Sequence, residues 1–91
     1  MAPNAGRQVR ARIDRVIERF VDGNLGDHKG VGHGVIETRI NVGPGYRIYY
    51  GRDGEIVVIL LAGGGKKGQN RDIHNAKERW KDYKERRRIG A

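Results

Sequence analysis

The sequence has no cysteine, and its 91 residues include only two prolines, one tryptophan, one phenylalanine and one methionine. The lack of cysteine excludes disulfides, thiolate nucleophiles and cysteine-ligated metals. It fits a reducing compartment, and the cytoplasm is the expected location. Long apolar runs are also missing. The longest, Ile56 to Ala62, falls far short of the roughly 20 residues a membrane-spanning helix needs, so no membrane partner is expected. The opening stretch MAPNAGRQVR has no apolar core of the kind a secretory signal carries. Acidic residues are scarce, at 11 against 19 Lys and Arg, which leaves a net charge of +8. So large a surplus suits a polyanionic partner, either nucleic acid or an acidic protein.

The surplus is unevenly placed. Residues 1–23 carry five Arg against three acids, residues 24–65 four of each, and residues 66–91 ten Lys and Arg against four acids. The middle of the chain is neutral and the last third is strongly basic. A chain of this length makes one domain with a modest core.

The pattern along the chain predicts an α+β fold. It is a small twisted antiparallel sheet of three main strands, packed by an N-terminal and a C-terminal helix. After about four frayed residues, Val9, Ile13, Val16, Ile17 and Phe20 form one apolar stripe, predicting a helix over about 5–22 that Gly23-Asn24 stops. Its arginines read as a solvated face. Residues 23–34 are glycine-rich and read as a linker. His28 and His33, five apart, make a poor metal constellation without a third ligand, so no metal site is expected. Either histidine is an outside candidate for proton transfer.

Strands are predicted over about 35–42, 45–51 and 55–62, joined by tight turns at Val42-Gly43-Pro44-Gly45 and Gly51-Arg52-Asp53-Gly54. In the first strand Ile36, Thr38, Ile40 and Val42 share the core face, and Glu37 and Arg39 the other. The matching register sets Arg39, Arg47 and Tyr49 together on an open surface, with Glu37 close enough to pair with an arginine. That is either a structural ladder or a cationic, aromatic-bearing cleft. The third strand is apolar on both faces, which predicts a central strand covered on each side. Gly63-Gly64-Gly65-Lys66-Lys67 follows it, a flexible cationic rim suited to phosphate. The last helix is expected over about 70–87, capped by Asn70, with Ile73, Ala76, Trp80 and Tyr83 facing the core. Lys77, Lys84, Arg86, Arg87 and Arg88 on its other sides are candidate nucleic-acid contacts, adding salt-dependent affinity.

Several stretches together carry a family resemblance. They are Gly34-Val-Ile-Glu-Thr-Arg-Ile, Gly43-Pro-Gly-Tyr-Arg-Ile-Tyr-Tyr, and the run from Val58 through the glycines to Asp72-Ile-His-Asn-Ala76, supported by Ala11-Arg-Ile-Asp-Arg-Val-Ile and Gly23-Asn-Leu-Gly-Asp-His-Lys. The chain resembles the RelE/ParE toxin superfamily, most of all its HigB-like addiction module killer branch, over roughly residues 9–83. The resemblance implies a type II toxin–antitoxin toxin. Many such relatives are ribosome-dependent endoribonucleases (mRNA interferases) that cut mRNA without a cofactor or metal, and others poison DNA gyrase. It implies a cognate antitoxin, mRNA and the ribosome as partners, and operator DNA reached through the antitoxin.

In metal-free RNA cleavage the neighbouring 2′-hydroxyl is the nucleophile, so the protein's task is to hold the phosphate, offset developing charge and move protons. The catalytic candidates are Arg39, Arg47, Lys66 and Lys67, with Tyr49 for base stacking or proton transfer. No glutamate base and histidine acid stand on matching strand positions. A gyrase-directed toxin and an inactive binding member stay open as alternatives. Members of the branch usually begin with a further strand, which is missing here. That predicts an exposed sheet edge and a homodimer formed through it.

Overall fold

Apolar residues line one face of each helix and both faces of the sheet, and the chain covers them by setting the sheet between the helices. The computed structural model describes residues 3–41 and 45–90, with side chains from Val9 onward. Among these the architecture is α+β: α1 (Pro3–Val21), β1 (His28–Gly32), β2 (Val35–Ile40), β3 (Tyr46–Asp53), β4 (Ile56–Gly64) and α2 (Gln69–Arg88). The four strands form one antiparallel sheet in the order β1-β2-β3-β4.

α1 begins at Pro3, inside the stretch expected to fray, and proline suits a first helical turn. Its end is set by Gly23 at a φ of 87°. The Asn24 N–H donates to the Arg19 carbonyl at 2.9 Å and the Gly23 N–H to the Phe20 carbonyl at 3.0 Å, the paired bonds of a Schellman stop. Ile13, Val16, Ile17 and Phe20 pack on Ile40, Ile48 and Tyr50 of the sheet. The Phe20 and Tyr50 rings stack with centroids 4.3 Å apart, worth about 1 kcal/mol beyond their buried area. On the same face the Thr38 hydroxyl donates to the Leu25 carbonyl at 3.0 Å, tying down the segment after α1.

The opposite face belongs to α2. Ala76 and Trp80 are buried against Val35, Tyr49 and Leu60, with Ile73 and Tyr83 alongside, so the expected stripe is the packed one. Trp80 lies on Gly51, where an added Cβ would sit 2.7 Å from three ring atoms. Only a strand residue without a side chain lets the indole reach the sheet.

Four expectations need correction. The glycine-rich segment is no linker, because His28–Gly32 is a fourth strand paired with β2. Its single apolar side chain, Val31, gives no periodicity to detect. The two-residue turn His33-Gly34, with φ of 58° and 82°, has the positive φ pair that closes such hairpins. The second turn is not Gly51–Gly54: β3 continues through Asp53, and Gly54-Glu55 makes the reversal. The most apolar strand is not central. β4 ends the sheet, with one long side unpaired among the described residues and Ile56 and Ile59 exposed. A bulge between Tyr49 and Tyr50 in the β3–β4 ladder puts Leu60 and Leu61 together under α2. Lastly, Gly68 rather than Asn70 stands at the start of α2, and no side chain caps it. The expected turn at Val42–Gly45, and Val42 as a core residue, fall on positions 42–44, outside the described residues.

Trp80 on Gly51 yields a stability test with an internal control. Gly51→Ala is expected to destabilise by about 1–3 kcal/mol through overpacking. Gly30→Ala, where an added Cβ meets nothing within 4 Å, should shift stability by at most about 0.5 kcal/mol. Urea denaturation of both variants measures the difference.

Candidate nucleic-acid interface

Register determines what can meet on the α2 face. Lys29, Glu37, Tyr49 and Leu61 stand opposite one another across all four strands, and Arg39, Arg47 and Gly63 form the next row. Glu37 is 1% exposed. Its carboxylate is approached by Arg47 Nε at 3.6 Å and Lys29 Nζ at 3.8 Å, and it accepts a hydrogen bond from Gln69 Nε2 at 2.9 Å. Asp72, one turn into α2, lies over Gly63, where no side chain would fit. The face expected to be open is therefore roofed by the first turns of α2. The Glu37–Arg47 pairing inferred from register is present.

Tyr49 is displaced from its expected role. It is fully buried, so it offers no ring for a base to stack on. Its hydroxyl has no hydrogen-bond partner among the described residues, although the Glu37 carboxylate adjoins it. Burial first, and then the Glu37 charge, push its pKa well above the usual tyrosine value. At neutral pH it keeps its proton and is not a base.

Arg39 and Arg47 are directly opposed on β2 and β3. Two like charges at that spacing repel unless anions stand between them. Glu37 answers only part of this. Arg47 is 7% exposed and its Nε makes no hydrogen bond, because 3.6 Å to Glu37 is too long for one. Arg39 is exposed. Both line a cleft of about 240 Å³ together with Tyr46, Gly65 and Lys66. Arg39 also lines a second cleft of about 230 Å³, between α1 and β2, with Arg12 and Arg19. The two clefts share Arg39, Ile40 and Asn41; the one on the α1 side carries Arg12 and Arg19, and the other carries Arg47 and Lys66.

Of the residues selected from sequence, then, Arg39, Arg47 and Lys66 meet. Lys67 is exposed beside them but lines neither cleft. The α2 cations lie elsewhere. Lys77 and Lys84 border a third cavity of about 420 Å³ with His33, His74 and Lys81, and Lys84 Nζ sits 5.6 Å from the Trp80 ring centre. His28 is an exposed β1 residue whose Nδ1 lies 2.9 Å from the Gly26 carbonyl. Arg86, Arg87 and Arg88, in the last turn of α2, are paired with Asp82, Asp53 and Glu85. Sequence reasoning missed Arg12, Arg19, Lys29 and Gln69. Only Arg12 and Arg19 carried a readable signal, since both lie beside the apolar stripe at helical spacing.

Comparison with known proteins adds one relative. A curated protein of Haemophilus influenzae strain Rd, described as "Uncharacterized protein", is 44% identical over 70 residues, which span 77% of this chain and 71% of that protein. The chain belongs to that protein's family. No family model matches it and no solved structure matches it. For the family, the groove and the buried carboxylate are thus a structural starting point.

The buried tyrosines give a pH prediction. Tyr49 and Tyr50 both have pKa values raised above 10.0, chiefly by burial. Below pH 10 folded and unfolded chains hold these protons alike. Above it the unfolded chain releases them first, so stability is lost as pH rises. The expected slope is about 1.4 kcal/mol per pH unit for each tyrosine still protonated in the fold. Tyr49→Phe should alter stability by under about 1 kcal/mol at neutral pH, since its hydroxyl is unpartnered, and should flatten the alkaline loss. Denaturant titrations at pH 8 to 12 measure both effects.

Proposed function

We propose that this chain is the toxin of a type II toxin–antitoxin pair, of the RelE/ParE superfamily and its HigB-like branch, and that it cleaves mRNA on the ribosome without a metal. The observation that carries the reading is one cleft lined by Arg39, Lys66 and Arg47, the last a nearly buried guanidinium held by Glu37. Three cations converge on this cleft with no carboxylate among its described lining residues, which suits a phosphate that arginine can grip bidentately. The motif series from Gly34 to Ala76 supplies the family.

In this mechanism the groove fixes the backbone around the scissile phosphate. The 2′-hydroxyl loses its proton and attacks phosphorus, the 5′-oxygen leaves and takes up a proton, and a 2′,3′-cyclic phosphate remains. Arg39 and Arg47 hold the non-bridging oxygens and offset their growing charge. Glu37 orients Arg47 from beneath. Lys66, on the flexible glycine rim, follows the phosphate as its geometry changes. An acidic antitoxin segment laid along the same groove would compete with RNA directly.

A second reading draws on a separate observation. Among the described residues lining the two clefts there is no histidine, and the one carboxylate is Asp27. With Tyr49 buried and protonated, proton transfer falls to groups of the ribosome or substrate, or the groove binds without cutting. The gyrase-directed alternative has no feature of the groove in its favour.

The test is induced expression followed by primer extension on a reporter mRNA, with translation running or blocked. Cuts that need translation are expected. Arg39→Ala, at an exposed position, should lower cleavage by about 10²-fold or more with the fold intact. Arrest with whole mRNA and an SOS response would point to gyrase, and RNA retention without cuts to the binding reading.

A further inference from the structure

The unpaired side of β4 is the longest strand edge in the fold, and its nine residues contain no charge and no proline. Such edges are normally blunted by charge, proline or shortness. Here one device is present: the bulge at Leu60, whose carbonyl accepts a hydrogen bond from Arg79 Nη1 at 2.8 Å. It divides the edge into Ile56–Ile59, with bulky side chains, and Leu61–Gly64, ending in Ala62, Gly63 and Gly64.

We propose that β4 pairs antiparallel with β4 of a second copy of this chain, about a two-fold axis at Leu60, joining two sheets into one of eight strands. In this arrangement the halves are complementary. Ile56 falls opposite Gly64, Val57 opposite Gly63, Val58 opposite Ala62 and Ile59 opposite Leu61. In three of the four pairs a large side chain of one copy thus meets a small residue of the other. Ile56 and Ile59, 55% and 41% exposed, gain cover. The flanks also match in charge, because Glu55 of one copy runs beside Lys66 of the other. The seam itself is neutral, which lets two copies of a +8 chain approach there. Arg79 holds the one carbonyl at the axis that the ladder would not use. The axis is perpendicular to the sheet, so each copy keeps its groove at the far side of β2 and β3. Of the cations placed at the groove, only Lys66 also reaches the seam.

Sedimentation equilibrium of the full chain, from about 1 µM to about 1 mM, covers the range of weak association. The mass should rise from 10.2 kDa to about twice that value. Ile59→Lys and Ala62→Lys, at exposed positions on opposite halves of the seam, should each weaken dimerisation at least tenfold while circular dichroism and thermal midpoint stay unchanged. Glu55→Lys should weaken it, and adding Lys66→Glu should restore it. A monomer at every concentration overturns the proposal. So does a dimer that withstands both lysine variants, which would mean that it forms elsewhere.

Discussion

The arrangement turns on one buried carboxylate. Glu37 sits at the centre of a four-strand row and is reached from β1 by Lys29, from β3 by Arg47 and from α2 by Gln69. A carboxylate removed from water costs several kcal/mol unless partners replace the solvent. That demand fixes positions that packing leaves open. α2 must begin where Gln69 can donate, β1 must add at the register that places Lys29 opposite, and Arg47 must lie inward. The Lys29 contact, at an exposed side chain and 3.8 Å, adds little stability. Arg47 and Gln69, both shielded, are the partners that hold it.

This constraint also forms the groove. An arginine turned inward toward Glu37 is not fully satisfied at 3.6 Å: its Nε stays buried without a hydrogen bond while the side chain lines the cleft. Arg39, one register row from Glu37, is left facing its like-charged neighbour. The sheet holds that repulsion because apolar packing on both faces fixes the strands. A bound anion would relieve it, so the groove stores part of its affinity in the unliganded fold.

The sequence made some of this legible. The α1 and α2 stripes, the β2–β3 register and the Glu37–Arg47 pair all follow from side-chain period and were read correctly. β1 was hidden because glycines and polar residues carry its pairing through backbone alone. The place of β4 was misread because a continuous apolar run means burial on both faces of a sheet, and that says nothing about which neighbours the strand has. The open aromatic face was misread for a related reason. Tyr49 and Trp80 are both large enough to fill a face, and only the close approach of Trp80 over Gly51 decides that α2 lies there. A glycine within a strand was read as a turn residue, yet its meaning was contact.

Charge summed by segment misleads in the same way. Residues 24–65 are neutral in total, yet they supply Arg39 and Arg47 to a cationic cleft. Of their four acids only Asp27 lines either cleft. Glu37 is buried, Asp53 takes the Tyr83 hydroxyl at 2.8 Å and Arg87 at 3.0 Å, and Glu55 lies in the β3–β4 turn. The basic C-terminal third loses part of its surplus to pairs along α2. Net charge draws a polyanion from a distance, within the roughly 8–10 Å that salt permits. What holds it on arrival is set by where cations converge without a carboxylate among them, as Arg39, Arg47 and Lys66 do in the cleft beside Glu37.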